Sequence, residues 1–121
     1  MAYARLRFCT INSRDLKVLL NQKNAKKPLV IDVRSMTEIT QTGLIPGAIN
    51  IPIAEIGKVF ALNNEDFREE LGIDKPHFTQ LIVTNCKLGI RSAQVVKTLK
   101  NIGYDNVKSL DGGIDAWLDT K

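Results

Sequence analysis

Short unbroken apolar runs set the limits on what this chain can fold into. Leu29-Val30-Ile31 leads into Asp32-Val33, Leu81-Ile82-Val83 leads into Thr84, and Asn106 to Leu110 supplies a third run. A strand with one face in water alternates apolar and polar residues, whereas an unbroken run suits a strand covered on both faces, as in parallel sheets. Between these runs, apolar residues recur three and four positions apart. Leu16, Leu19 and Leu20 form one such set, and Val95, Val96, Leu99 and Ile102 another. That spacing is helical. Strands alternating with helices predict an α/β domain built on a parallel sheet.

Caps and breakers divide the rest. Phe8 to Ile11 reads as a first strand, and Ser13 as the N-cap of a helix that ends at Lys26, Lys27 and Pro28. A short helix is expected over Ser35 to Gln41, then a turn at Gly43, Pro46 and Gly47, and a strand from Ala48 to Ile51. Ile53, Ile56 and Phe60 share a helical face, and Asn64 caps a helix carrying Phe67 and Leu71 that Gly72 closes. The helix from Ser92 ends at Gly103, and Asp111-Gly112-Gly113 turns the chain into a last helix with Ile114, Trp117 and Leu118. The expectation is five short strands, five or six helices and no linker.

A chain of 121 residues suits one domain over residues 1–121, its core running from roughly 10 to 119. No apolar run approaches the roughly 20 residues a membrane span needs. The net charge of +4 is dispersed and aromatics make up 6%, which argues against a base-stacking surface for nucleic acid. Two distant cysteines and one histidine make neither a disulfide framework nor a zinc site, so no metal and no cofactor are expected. Free thiols point to a reducing compartment, the cytoplasm. The start of the chain carries Arg5, Arg7 and Arg14 with no acid before Asp15, which leaves the mitochondrion as the alternative.

Chemistry concentrates at Cys86-Lys87-Leu88-Gly89-Ile90-Arg91, between a strand and a helix. A helix N-terminus leaves amide N–H groups unpaired and carries the positive end of the macrodipole. A tight loop entering that end makes an anion cradle, placed where α/β sheets gather ligands, outside the carboxyl ends of the strands. Such a setting favours a thiolate, and Lys87 and Arg91 add two cations. Cys86 is the expected nucleophile, suited to an electron-poor sulfur or phosphorus of an oxyanion. Cys9, in the expected first strand, reads as a structural thiol.

Three segments resemble the rhodanese-like family. Ile31-Asp32-Val33-Arg34 with Glu38 is similar to its Asp-Val-Arg segment. Gly43-Leu44-Ile45-Pro46-Gly47-Ala48 is similar to its Gly-His-Ile-Pro-Gly-Ala signature, with Leu44 in place of His. Cys86 to Ser92, followed by Gly103-Tyr104 and Asp111-Gly112-Gly113-Ile114, resembles the C-terminal half of a single rhodanese domain. The resemblance implies a doubly wound five-stranded parallel sheet with helices on both faces. It also implies ping-pong sulfur transfer, in which Cys86 takes the outer sulfur of thiosulfate, or of a related donor such as a glutathione persulfide, and passes it to cyanide or to a thiol such as glutathione or thioredoxin. Lys87, Leu88, Gly89, Ile90, Arg91 and Ser92 would bind the donor.

Two other functions fit the same fold. Phosphatases and arsenate reductases that hold phosphate in a Cys–Arg loop need five residues between the two, and this chain has four, which favours sulfur. A non-enzymatic recognition module is the other alternative, against which the retention of Cys86, Lys87 and Arg91 argues. Asp32, Arg34 and Glu38 follow the second strand and could line the site, Asp32 and Arg34 standing behind the loop, with a structural ion pair of Arg34 to a carboxylate preferred over substrate contact. His77 reads as exposed, Phe67 and Trp117 as core, and Lys23, Lys26 and Lys27 as solvated.

Overall fold

The computed structural model describes residues 9–23 and 26–120. The order is β1 (Thr10–Ile11), α1 (Ser13–Asn21), β2 (Leu29–Asp32), α2 (Met36–Thr42) and β3 (Ile49–Asn50), then a 3-10 turn at Ile53–Glu55 and α3 (Ile56–Phe60). α4 (Asn64–Leu71), β4 (Ile82–Asn85), α5 (Ile90–Ile102), β5 (Val107–Leu110) and α6 (Gly113–Asp119) complete it. The strands form one parallel sheet in the order β1-β5-β4-β2-β3. This is the doubly wound five-stranded sheet that the apolar runs and the resemblance imply. Phe8 and the arginines Arg5 and Arg7 lie outside the described residues.

The unbroken runs are unbroken because alternate residues of one strand enter two different cores. Ile31, Ile82 and Val107 pack with Phe60, Phe67, Val95, Val96 and Leu99, under α3, α4 and α5. Val30, Val83 and Leu110 pack with Leu16 and Ile114, under α1 and α6. Phe60, Phe67 and Tyr104 stack edge to face at centroid separations of 5.5 and 5.4 Å, a favourable aromatic geometry. The sheet is thereby fixed between two helical layers, and the loops at the carboxyl ends of β4 and β2 meet on one edge.

Several local expectations need correction. Asn12, not Ser13, caps α1: its backbone is extended and its Oδ1 accepts from the Asp15 N–H at 2.8 Å. Ser13 is the first helical residue. Asn63, not Asn64, caps α4 in the same manner, accepting from Asp66 at 2.8 Å. Where two cap-competent residues are adjacent, the one still in extended backbone has the correct side-chain reach. The helix expected from Ser92 begins two residues earlier, at Ile90. Gly89 turns the chain there with φ +112, a conformation that side chains disfavour. Ile102 and Leu118, read as facing inward, are 37% and 55% exposed because they lie in last turns that run past the sheet.

Other readings hold. Ser35 caps α2 with a full capping box to Glu38, and Gly72 closes α4 in the left-handed conformation. Phe67 is fully buried, whereas Trp117 is half-buried with the Lys17 ammonium 4.9 Å above its ring. His77, Lys23, Lys26 and Lys27 are exposed.

Candidate active site

β4 ends at Asn85, and the next residue, Cys86, is 1% exposed at the floor of the loop that leads into α5. The loop is shaped from behind by the Asp111-Gly112-Gly113 turn. The Ile114 N–H donates to the Cys86 carbonyl at 2.8 Å and the Asp115 N–H to the Lys87 carbonyl at 3.3 Å. A Cβ on Gly113 would stand 2.4 Å from both of those carbonyl oxygens, and its φ is +59, so only glycine allows this approach. With its carbonyls held at the back, the loop turns its amides toward the sulfur.

Cys86 Sγ accepts from the Gly89 N–H at 3.1 Å and the Ser92 N–H at 3.4 Å, and contacts Ser92 Oγ at 3.5 Å. Burial alone would push this thiol up. The Ser92 hydroxyl and the amides of Ser92, Gly89 and Leu88 outweigh it and bring the thiol below its ordinary value. Ser92 Oγ is itself seated by the Gly89 carbonyl at 3.1 Å and by Ser109 Oγ at 2.6 Å, across to β5. Thr84 Oγ1 donates to the Ser92 carbonyl at 2.9 Å, which pins the first turn of α5 to β4.

The two loop cations stand differently from what the sequence implies. The Lys87 ammonium pairs with Asp115 at 3.1 Å, with both side chains well exposed. The Arg91 guanidinium grips both oxygens of Glu38, at 2.7 and 2.8 Å. Arg91 is raised above its ordinary value chiefly by its hydrogen bonds to Glu38, with the charges of Cys86 and Asp32 adding to them. The thiolate is therefore favoured chiefly by amides and a hydroxyl, not by loop cations. Leu88 and Ile90, on either side of Gly89, are 58% and 72% exposed at the crest of the loop.

Asp32 and Arg34 are buried beneath the site rather than lining its opening. Arg34 Nη2 meets Asp32 Oδ2 at 2.8 Å, and its remaining donors reach Thr42 Oγ1 at 2.7 Å and the Gly43 carbonyl at 3.0 Å. Asn85 Nδ2 donates to Asp32 Oδ2 at 3.0 Å, so the pair braces the residue next to Cys86. Cys9 packs against the larger core, as a structural thiol would. Its Sγ lies 3.0 Å from the Lys100 ammonium, a cation that folding brings from 91 residues away.

Ser109 and Asp115 escape the sequence reading, since neither belongs to a local pattern and only folding places them at the loop. Glu38, expected beside the site from its place after β2, does reach the loop, but nothing in the sequence names Arg91 as its partner. Among the described residues, no three His, Cys, Asp or Glu side chains gather as a metal centre requires.

Comparison with known proteins bears on this geometry. Residues 14–120 match the family described as Rhodanese-like domain. A mouse thiosulfate sulfurtransferase/rhodanese-like domain-containing protein 3 is 36% identical over 115 residues, covering 92% of this chain and 71% of that protein. A human thiosulfate:glutathione sulfurtransferase is 29% identical over 111 residues, covering 91% and 93%. The solved structure of a human single-domain sulfurtransferase superposes with a TM-score of 0.84 at 27% identity, covering 93% of this chain and 97% of that one.

Proposed function

The chain belongs to the rhodanese-like domain family, and on that premise we propose that it is a single-domain thiosulfate sulfurtransferase with Cys86 as its nucleophile. The observation that carries this reading is the convergence of amide N–H groups and the Ser92 hydroxyl on Cys86 Sγ, which favours a thiolate at the carboxyl edge of the sheet. The thiolate attacks the outer sulfur of thiosulfate. A bond forms between Cys86 Sγ and that sulfur, the sulfur–sulfur bond of the donor breaks, and its electron pair leaves on sulfite. The acceptor thiolate, or cyanide, then attacks the outer sulfur of the persulfide and Cys86 leaves as thiolate.

Lys87, Leu88, Gly89, Ile90, Arg91 and Ser92 form the donor site. The loop amides hold the anionic outer sulfur of the persulfide, and Arg91 draws the donor and offsets charge as sulfite leaves. Glutathione, thioredoxin and cyanide are the acceptors considered, and glutathione is the one carried in the name of the human relative. Turnover through a Cys86 thiolate suits a reducing compartment, for which the cytoplasm is our assignment and the mitochondrion the alternative. No described helix is long and apolar enough to cross a membrane.

The reading is tested by turnover. Wild-type protein given thiosulfate and glutathione or cyanide should release sulfite, and Cys86→Ser should release none. Hydrolysis of a phosphate ester without sulfite release would replace sulfur transfer by the phosphatase alternative.

A further inference from the structure

Glu38 stands in the first turn of α2, 53 residues before Arg91, and its carboxylate makes two sets of contacts. Oε1 accepts from both the N–H and the hydroxyl of Ser35 at 3.2 Å, closing the capping box at the head of the helix. Oε1 and Oε2 together accept from the two terminal nitrogens of Arg91. The carboxylate is thus seated on a helix end at its base and grips a planar fork at its tip. With the Arg91 side chain 35% exposed, packing alone does not hold so long a residue in one rotamer.

We propose that Glu38 is the positioning residue of this site, fixing Arg91 so that the guanidinium meets the anionic sulfur donor in one orientation. The inference rests on the sulfur-transfer reading of Cys86. A guanidinium has five N–H donors. Glu38 engages one on each terminal nitrogen, which leaves Nε–H and one more on each of those nitrogens for a ligand. The grip is constant with pH: the Arg91 hydrogen bonds are the largest influence on Glu38 and hold its carboxyl at about 2, so it is charged wherever Cys86 is reactive.

A carboxylate on a ligand-binding arginine has two effects of opposite sign. It neutralises part of the cation, so its loss would tighten anion binding. It also orders the cation, so its loss would weaken binding. The geometry favours ordering. The two contacts pair both terminal nitrogens with both carboxylate oxygens, and the capping box seats the carboxylate independently of Arg91.

Glu38→Gln separates the two, because glutamine completes a capping box as glutamate does and α2 is retained. We expect kcat/KM for thiosulfate to fall about tenfold, the worth of one charge-assisted hydrogen bond, while loss of the partly exposed ion pair lowers the melting temperature by only a few degrees. A second measurement does not need sulfur transfer: alkylation of Cys86 by anionic iodoacetate relative to neutral iodoacetamide. That ratio should fall in Glu38→Gln as Arg91 loses its orientation. A higher kcat/KM or a higher ratio would show Glu38 to be a neutraliser. No change in either, or a loss of kcat/KM that follows the fraction unfolded at the assay temperature, would also overturn the inference. If wild type itself fails to turn over thiosulfate, the sulfur-transfer reading falls, and the alkylation ratio still decides the role of Glu38.

Discussion

Cys86 shows how one side chain can be both core and reagent. Its 1% exposure places it among Val95, Val96 and Leu99, yet its sulfur faces a ring of donors from the loop that closes over it. Burial and hydrogen bonding oppose each other at this atom, and the hydrogen bonds prevail. Ser92→Ala removes the hydroxyl and keeps the amide, so the thiol should titrate higher than in wild type. Reactivity of the thiolate rises as pH passes its titration point, so the alkylation profile should move to higher pH. An unmoved profile would mean that the amides alone set the thiol. The loop was legible at this scale because Cys86 to Ser92 are neighbours in the chain. The partners of its cations were not, because Asp115 and Glu38 lie 28 and 53 residues away.

Among the elements, periodicity located the helices and the apolar runs located the strands, while their ends depended on single hydrogen bonds. Two adjacent asparagines, Asn63 and Asn64, illustrate the difference. Only Asn63 has the extended backbone and the bond to the Asp66 N–H, so Asn63→Ala should cost about 1 kcal/mol of stability. Asn64→Ala should change little, and urea denaturation of the two variants would decide it. Equal losses would return the cap to the position that the sequence favours. The start of α5 could not be read in the same way. Gly89 occupies the cap position without a side chain to offer, and the bonds from the loop to α6 that shape its approach join residues far apart in sequence. Gly113, by contrast, announces the turn in sequence while concealing its reason, which is the 2.4 Å that a Cβ would leave to two loop carbonyls.

Across the whole molecule, a buried polar assembly ties the sheet together directly beneath the loop. Asp32 and Arg34 follow one another out of β2, Asn85 joins from β4, and Asn50 donates from β3 to the carbonyls of Asp32 and Arg34 at 2.9 Å. Thr42 and Gly43 complete the Arg34 donors from the end of α2. The sequence preferred an ion pair for Arg34, and the register of β2 against β4, with Asp32 beside Asn85, gives that pair its place. Arg34→Met leaves the Asp32 carboxylate buried and unpaired, so unfolding free energy should fall by about 3–5 kcal/mol. A loss under about 1 kcal/mol would mean that solvent reaches Asp32 and that the pair is not a foundation of the site.

The central claim, that this sheet presents Cys86 as a carrier of sulfur, is tested most directly by the intact mass of the protein after exposure to thiosulfate. Wild type should gain the mass of one sulfur atom, located on Cys86 and removed again by cyanide or a thiol. Cys86→Ser should gain nothing. A wild-type mass that does not change, in protein whose Cys86 still reacts with iodoacetamide, would contradict the account.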